Sequence, residues 1–162
     1  MAQQANTWAE PVCLSGRALG SHPHVCAFFR DQEEGCRVLI PFIVEGIRRG
    51  EKAFHTVNPR SLATHLKRLQ AAGIDVRQAQ RSGQLEVRSW EEFQLREGHF
   101  DQDRLLSAIS GVLSQARSQG YPRTRFLADM DWIFEDRRGV ENFLSVEIIA
   151  NQMLLDHDDP VI

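Results

Sequence analysis

The sequence predicts an α/β domain with a mostly parallel sheet and helices on both faces. Short apolar segments of about six residues alternate with amphipathic segments of about ten to twenty, the pattern of successive strand–helix–strand units. The chain has 162 residues, of which 42% are hydrophobic and 25% charged, so it can bury a core of its own. We predict a flexible extension at residues 1–20 and one domain at residues 21–162.

Four strands are predicted from short apolar or alternating segments bounded by glycine and polar residues. They lie at residues 24–29, 52–57, 84–89 and 125–130. Residues 11–18 are expected to form an ordered lead-in or an edge strand. Residues 158–162 resemble the start of a further strand, so C-terminal strands of the sheet could be missing from this chain. Because an uncovered sheet edge invites pairing with another chain, a homodimer is one expected arrangement.

The first helix is predicted directly after the first strand. Asp31 is placed to cap it, and Glu34, three residues later, would complete a capping box. Pro41 lies inside the apolar stripe of this helix, and an interior proline costs about 3 kcal/mol. The sequence therefore predicts a kink or a late helix start, and Gly50 is expected to end the helix.

The later helices are marked by capping residues and glycines. Asn58-Pro59 is expected to begin the second helix, and Asp75 to cap a short third one. Asp101 is expected to cap a long helix with a continuous apolar face. The last helix is predicted from about residue 139 to residue 155.

Charge and cysteine content exclude several classes of protein. The net charge of −3 offers no electrostatic basis for direct binding of nucleic acid or of an anionic membrane. No apolar run is long enough to cross a bilayer, and the N-terminus has no secretory pattern. Three cysteines without a CxxC or CxxH spacing indicate reduced thiols in a cytoplasmic protein rather than a zinc motif.

The turn after the first strand lacks the chemistry of a phosphate-binding loop. Such a loop needs glycines, a lysine and a hydroxyl-bearing residue, whereas this turn carries Glu33 and Glu34. Both acids would complement the positive helix N-terminus and repel phosphate. Hydrolysis of a nucleotide is therefore disfavoured.

His24 and Cys26 are predicted to point to the same side of the first strand, because strand side chains alternate. They could line a pocket, as metal ligands or as a reactive thiol with a neighbouring base. Taken alone, however, the pair is better explained as a hydrogen-bonded core histidine and a small buried thiol. Two ligands are too few for a metal, and His55 on the second strand is the candidate third partner.

Asp129, Asp131 and Trp132 follow the fourth strand, at the sheet edge where ligands bind in open parallel sheets. The two carboxylates could perform acid–base chemistry or hold magnesium. They could instead cap the turn that follows. Trp132 could offer a flat apolar wall to a ligand or pack under a helix.

Glu147 and Asn151 are four residues apart on the last helix and therefore share one face. An acid within so apolar a segment lies at the edge of the helix or is buried with a partner. Arg104 and Glu51 are the further candidates for that contact.

A series of short motifs follows one order along residues 24–151. The motifs are His24-Val-Cys-Ala-Phe-Phe29, Glu33-Glu34, Pro41-Phe42, Glu45-Gly46, Gly50-Glu51, Val57-Asn-Pro59, Ala72-Gly-Ile-Asp-Val76, Ser82-Gly-Gln-Leu-Glu-Val87, Phe100-Asp-Gln-Asp-Arg104, Met130-Asp-Trp132, Gly139-Val-Glu141, and Glu147 with Asn151. This order and spacing resemble the MEDS domain, the methanogen/methylotroph DcmR sensory domain.

The resemblance implies a RecA/KaiC-like fold that has lost its phosphate loop, in agreement with the acidic turn. It also implies a sensory role, since family members occur in one-component repressors, histidine kinases and other regulators, where they recognise small molecules. The family brings no catalytic residues. It brings a signature of His24, Cys26, Phe28, Glu51, Trp132, Glu147 and Asn151.

The leading hypothesis is a cytoplasmic, non-catalytic sensory module that binds a small organic molecule and signals to a regulatory protein or a fused output domain. No cofactor or metal is predicted. The candidate ligand-binding residues are His24, Cys26, Phe28, Glu51, His55, Asp129, Asp131, Trp132, Glu147 and Asn151. The alternatives are a protein-interaction module without a small ligand, and a residual nucleotide-binding or thiol-redox enzyme.

Overall fold

The computed structural model describes residues 11–20, 24–135 and 138–162. The part of the predicted extension at residues 1–10 lies outside the described residues. A short antiparallel hairpin joins strand β1, Cys13–Leu14, to strand β2, Arg17–Ala18. Val12, just before it, is buried among core residues. Residues 11–20 are therefore ordered, as expected for the segment 11–18 and unlike the flexible extension predicted for 1–20.

Three parallel strands form the centre of the domain: β3 at Lys52–Val57, β4 at Leu85–Ser89 and β5 at Thr124–Ala128. Their order is β4-β3-β5. All six residues of β3 are buried, as expected for a central strand covered on both faces. The structure confirms the parallel sheet and places these strands within two residues of their predicted bounds.

The strand predicted at residues 24–29 is wrong beyond its first residue. His24 forms a single parallel bridge with Val161, and the Val25 amide donates to the Val161 carbonyl at 2.9 Å. The segment then leaves the sheet, and Phe28 is 91% exposed. A short apolar run resembles a buried strand only if the rest of the fold covers it, and here the fold does not.

The last residues of the chain lie between β5 and the segment at His24. The Phe126 amide donates to the Pro160 carbonyl at 2.9 Å, and the Ala128 amide to the Ile162 carbonyl at 2.7 Å. The further strand expected near the end of the chain is thus present as a short parallel pairing. Residues 160–162 cover the edge of β5 and carry the sheet on to His24.

The structure has six α-helices within the described residues. Their bounds are α1 Gln32–Arg48, α2 Leu62–Ala71, α3 Val76–Arg81, α4 Trp90–Phe93, α5 Gln102–Ser118 and α6 Phe143–Met153. Asp31, Asp75 and Asp101 each cap a helix as predicted. The second helix begins at Leu62, later than expected. Short 3₁₀ segments flank α6, at Val140–Asn142 and Leu154–Asp156, so the final predicted helix is α-helical only in its middle.

Helix α1 differs from its prediction in two details. Asp31 accepts the Glu34 amide at 2.8 Å, but the Glu34 carboxylate accepts the Arg30 amide at 2.7 Å rather than that of Asp31. The helix also runs unbroken through Pro41, so the predicted late start is wrong. Burial of Phe42 and Ile43 on the inner face offsets the one hydrogen bond that the proline removes.

The sheet separates two hydrophobic cores, which confirms helices on both faces. Phe54 and Phe126 point to the side of α4, α5 and α6, with ring centroids 4.9 Å apart. Ala53, Leu85 and Leu127 point to the side of α1, α2 and α3. The RecA/KaiC-like relationship stays a prediction.

A buried ion pair holds the sheet against α1. Arg125 in β5 is fully buried and donates to the Glu51 carboxylate at 2.5 Å and to the Phe42 carbonyl at 2.6 Å. Arg123 also donates to Glu51, at 3.0 Å. Gly46 leaves room for this arrangement, since a Cβ there would lie 2.5 Å from Cδ and Nε of Arg125.

Replacement of Gly46 by alanine tests this close approach. Alanine normally stabilises a helix interior by about 0.5–1 kcal/mol relative to glycine. Because Arg125 is fixed by its partners, we expect Gly46→Ala instead to lower the free energy of unfolding by about 1–3 kcal/mol in denaturant titrations. Gly111→Ala in α5, where a Cβ meets no atom within 4 Å, is the matched control and should stabilise. Equal effects of the two substitutions would contradict the account.

Candidate functional site

Helix α6 meets the segment at His24 through four polar side chains. The His24 Nδ1 lies 2.8 Å from Asn151 Oδ1, and its Nε2 lies 3.4 Å from Glu147 Oε2. The Cys26 thiol donates to the same Glu147 oxygen at 3.3 Å. Residues that are more than 120 positions apart in sequence therefore form one polar cluster, which we call the α6 site: His24, Cys26, Glu147 and Asn151.

The fold positions each side of this site. Val161 fixes His24 by the bridge at the sheet edge. Val146 and Ala150 bury the inner face of α6, which leaves the face of Glu147 and Asn151 directed at the segment. Gly139 sets the approach to the helix: its φ is +93°, and a Cβ there would lie 2.3 Å from the Phe100 carbonyl oxygen.

The electrostatics of the site favour a neutral thiol when no ligand is bound. Partial burial raises the pKa of Cys26, and the hydrogen bond to Glu147 and the negative charge of that carboxylate raise it further. Glu147 therefore holds the proton on sulfur. A reactive thiolate needs positive neighbours instead.

Apolar side chains flank the α6 site. Leu144 and Ile148 occupy the helical positions next to Glu147 and Asn151, and they are 75% and 64% exposed. Phe28, two residues beyond Cys26, is also exposed. An exposed apolar border around a polar cluster suits a small molecule with one polar group and an apolar body.

His55 lies on the other side of the sheet and is not the third partner of His24 and Cys26. It is buried, and its Nδ1 lies 3.1 Å from Nε2 of His65 on α2. Strand alternation directs His55 to the same face as Ala53, toward α2, whereas the site lies at α6. The third partner is Glu147, which was predicted to lie with Asn151 on the last helix and was not linked to His24 and Cys26.

Of the two acids after β5, Asp129 holds a turn together. Asp129 accepts the amides of Asp131 and Asn58 at 3.0 and 3.2 Å, which ties the ends of β3 and β5. Burial raises the pKa of Asp129, and these two hydrogen bonds partly offset the rise. Asp131 is exposed. Of the three roles predicted for this pair, the structure shows the capping of the turn, by Asp129.

Trp132 and Glu51 have structural contacts. Trp132 is fully buried, with its ring 5.1 Å from that of Phe100 and 6.2 Å from that of Phe143, so it packs under a helix. Glu51 bonds Arg125 at the opposite end of the sheet from the strand ends where ligands bind. Arg104, the other predicted partner of Glu147, points elsewhere: its guanidinium donates to the His99 carbonyl at 2.9 Å.

Two cavities lie away from the α6 site. A cleft of about 150 Å³ lies where β3 and β4 end, the predicted ligand edge, and is lined by Asn58, Pro59, Arg60, Trp90, Glu91 and Glu135. A shallower depression of about 490 Å³ lies over the second half of α1, lined by residues that include Pro41, Val44 and Arg48. The cleft is smaller than usual ligand pockets of about 300–1,000 Å³.

Three residues in and around the candidate sites were not predicted from the sequence: Leu144, Ile148 and His65. Leu144 and Ile148 could have been found from their helical spacing with Glu147 and Asn151. His65 and its contact with His55 depend on which helix covers which sheet face, which no local pattern gives.

The family model of the MEDS domain, described as MEthanogen/methylotroph, DcmR Sensory domain, matches residues 23–161. The chain belongs to the MEDS family. The match lies within the domain predicted at residues 21–162, and it includes all four residues of the α6 site. The family is described as a sensory domain and not as an enzyme family.

One curated relative of this MEDS chain is the transcriptional repressor DcmR of Methylorubrum extorquens. The two are 22% identical over 149 residues, which cover 92% of this chain and 53% of the repressor. The chain thus spans about half the length of the relative it matches. No solved structure matches the chain significantly. In the described part of this MEDS domain, no helix has the length and apolar character needed to cross a membrane.

The contact between buried His55 and partly buried His65 predicts a pH dependence of stability. Burial, and secondarily the charge of Arg68, lower the pKa of His65 to about 4, and burial lowers that of His55 well below its usual value. Both rings are neutral in the folded protein, whereas an unfolded chain takes up protons near pH 6.5. The folded state therefore loses stability as the pH falls from about 6.5 toward 4.

We expect His65→Gln to weaken this dependence, because glutamine does not titrate. The loss of unfolding free energy between pH 7 and pH 4.5 should shrink by roughly 2 kcal/mol in denaturant titrations. Thr64→Gln, at the exposed neighbouring position of α2, is the matched control. An unchanged pH profile in His65→Gln would show that the histidine is not held neutral.

Proposed function

We propose that this chain is a cytoplasmic sensory module that recognises a small organic molecule at the α6 site and signals to a regulatory protein or a fused output domain. The proposal assigns no catalytic residue. Membership of the MEDS family supports the sensory role, and the repressor relative supports a link to transcription. The chain itself carries a net charge of −3, so a partner or further domain would contact nucleic acid.

The observation that carries the proposal is the convergence of two distant segments on one polar cluster. His24 and Cys26 come from the start of the domain, and Glu147 and Asn151 come from α6. Hydrogen bonds at the sheet edge link His24 to residues 160–162. A ligand that bridges the cluster would therefore change the packing of α6 and of residues 160–162 together.

Signalling requires a ligand that binds two packings of this region with different affinity. The polar cluster would recognise a polar atom of the ligand, and the exposed Leu144 and Ile148 would contact its apolar body. On binding, these side chains would lose exposed apolar surface, and each Å² buried would stabilise the complex by about 25 cal/mol. This term favours a packing in which α6 closes on the ligand.

A protein-interaction module is the second candidate function, and exposed apolar residues favour it. Phe134 and Leu155 are 82% and 59% exposed, in addition to Leu144 on α6. A homodimer belongs to the same proposal, since β4 is an edge strand of the described sheet. A thiol-redox enzyme is less well supported, because the raised pKa of Cys26 disfavours a thiolate.

A panel of short-chain halogenated compounds, alcohols and aldehydes tests the sensory proposal by differential scanning. We expect at least one class to raise the melting temperature of the full chain, since a ligand that binds only the folded state stabilises it. Glu147→Gln should abolish that shift. Glu141→Gln, an exposed acid just before α6, should keep it.

Absence of any shift across the panel, with no small molecule released on denaturation in mass spectrometry, would contradict the sensory proposal. A shift that Glu147→Gln leaves unchanged would place the ligand elsewhere. Self-association that persists without ligand and is lost on Leu144→Ser would favour the interaction module.

A further inference from the structure

We propose that His24, Cys26 and Glu147 bind a divalent transition-metal ion of the zinc class, with one coordination position left open. One nitrogen of His24, Sγ of Cys26 and one carboxylate oxygen of Glu147 all lie within 4.8 Å of one another in the described part of the chain. Imidazole, thiolate and carboxylate together are typical of zinc sites rather than of magnesium or calcium sites. The inference rests on the proposed function only for what fills the open position.

The separations of the three side chains fit a tetrahedral ion. Bonds of roughly 2.0–2.3 Å from zinc to nitrogen, oxygen and sulfur place neighbouring ligand atoms roughly 3.3–3.7 Å apart. His24 Nε2 lies 3.4 Å from Glu147 Oε2, and Cys26 Sγ lies 3.3 Å from the same oxygen. Two of the three separations between protein ligands therefore already fit, and the third, between a His24 nitrogen and Cys26 Sγ, is within 4.8 Å.

Asn151 orients His24 for this role. An amide oxygen only accepts, so Nδ1 of His24 donates to Asn151 Oδ1 at 2.8 Å, and Nε2 of the ring faces Glu147 Oε2 at 3.4 Å. A lone pair and a carboxylate oxygen repel each other unless a proton or a metal ion lies between them. Metal-binding histidines commonly have their second nitrogen held in this way by an oxygen acceptor.

Metal binding would replace the thiol proton at the site. Cys26 would lose its proton to solvent and bind as a thiolate. The thiolate and the Glu147 carboxylate then supply two negative charges, which a divalent ion neutralises. Three protein ligands leave a fourth position for water or for a ligand atom, as in catalytic zinc sites. Leu144 and Ile148, at neighbouring positions of α6, expose apolar surface beside Glu147 and Asn151.

Titration of the full chain with Co²⁺, with Zn²⁺ as competitor, tests the site without any organic ligand. We expect one ion per chain and a sulfur-to-cobalt charge-transfer band, because the proposed set contains a thiolate. Cys26→Ser should abolish the band, whereas Cys36→Ser should keep it. Glu147→Gln should weaken Zn²⁺ binding about 10-fold or more, and Asn151→Ala by about 10–100-fold, while Glu141→Gln should not change it.

Circular dichroism of each variant separates loss of binding from loss of fold, and Glu147→Gln provides a second test if Cys26→Ser does not fold. A cobalt spectrum without the charge-transfer band, or a band that survives Cys26→Ser, overturns the metal site. Stabilisation by the organic panel that persists after removal of metal by a chelator overturns the claim that the organic ligand fills the open position on the metal, and it leaves the sensory proposal intact. Zn²⁺ binding of the expected pattern without any panel response supports the metal and removes the organic ligand.

Discussion

The buried ion pair between Arg125 and Glu51 is the interaction on which the arrangement of the domain depends. Arg125 has no exposed side-chain surface, and it joins β5 to the residue before β3 and to the backbone of α1. Loss of one partner of such a pair costs about 3–5 kcal/mol, because the other charge stays buried. One guanidinium therefore fixes two neighbouring strands and the first long helix in mutual position.

The α6 site depends on that arrangement through β5. Residues 160–162 hydrogen-bond along β5, and Val161 pairs with His24, so the place of His24 follows from the place of the strand. Trp132 packs between Phe100 and Phe143 and supports α6 from below. The polar cluster thus lies at a junction of separately held parts, where a bound molecule can alter their contacts.

The sequence predicted what local pattern determines. Periodicity placed β3, β4 and β5, and capping chemistry placed the starts of α1, α3 and α5. It did not predict where residues 24–29 leave the sheet, because that depends on the insertion of residues 160–162 beside β5. It named ten candidate ligand-binding residues, whereas tertiary packing unites His24, Cys26, Glu147 and Asn151 and directs His55 and Glu51 to other contacts.

Amide hydrogen exchange in the presence of the panel compound that stabilises the chain most tests the central claim most directly. The account predicts added protection in residues 24–26 and in α6, together with residues 160–162, because a ligand at the α6 site contacts or tightens all three. Protection confined to Asn58–Arg60 and Trp90–Glu91, which line the cleft at the ends of β3 and β4, would contradict it.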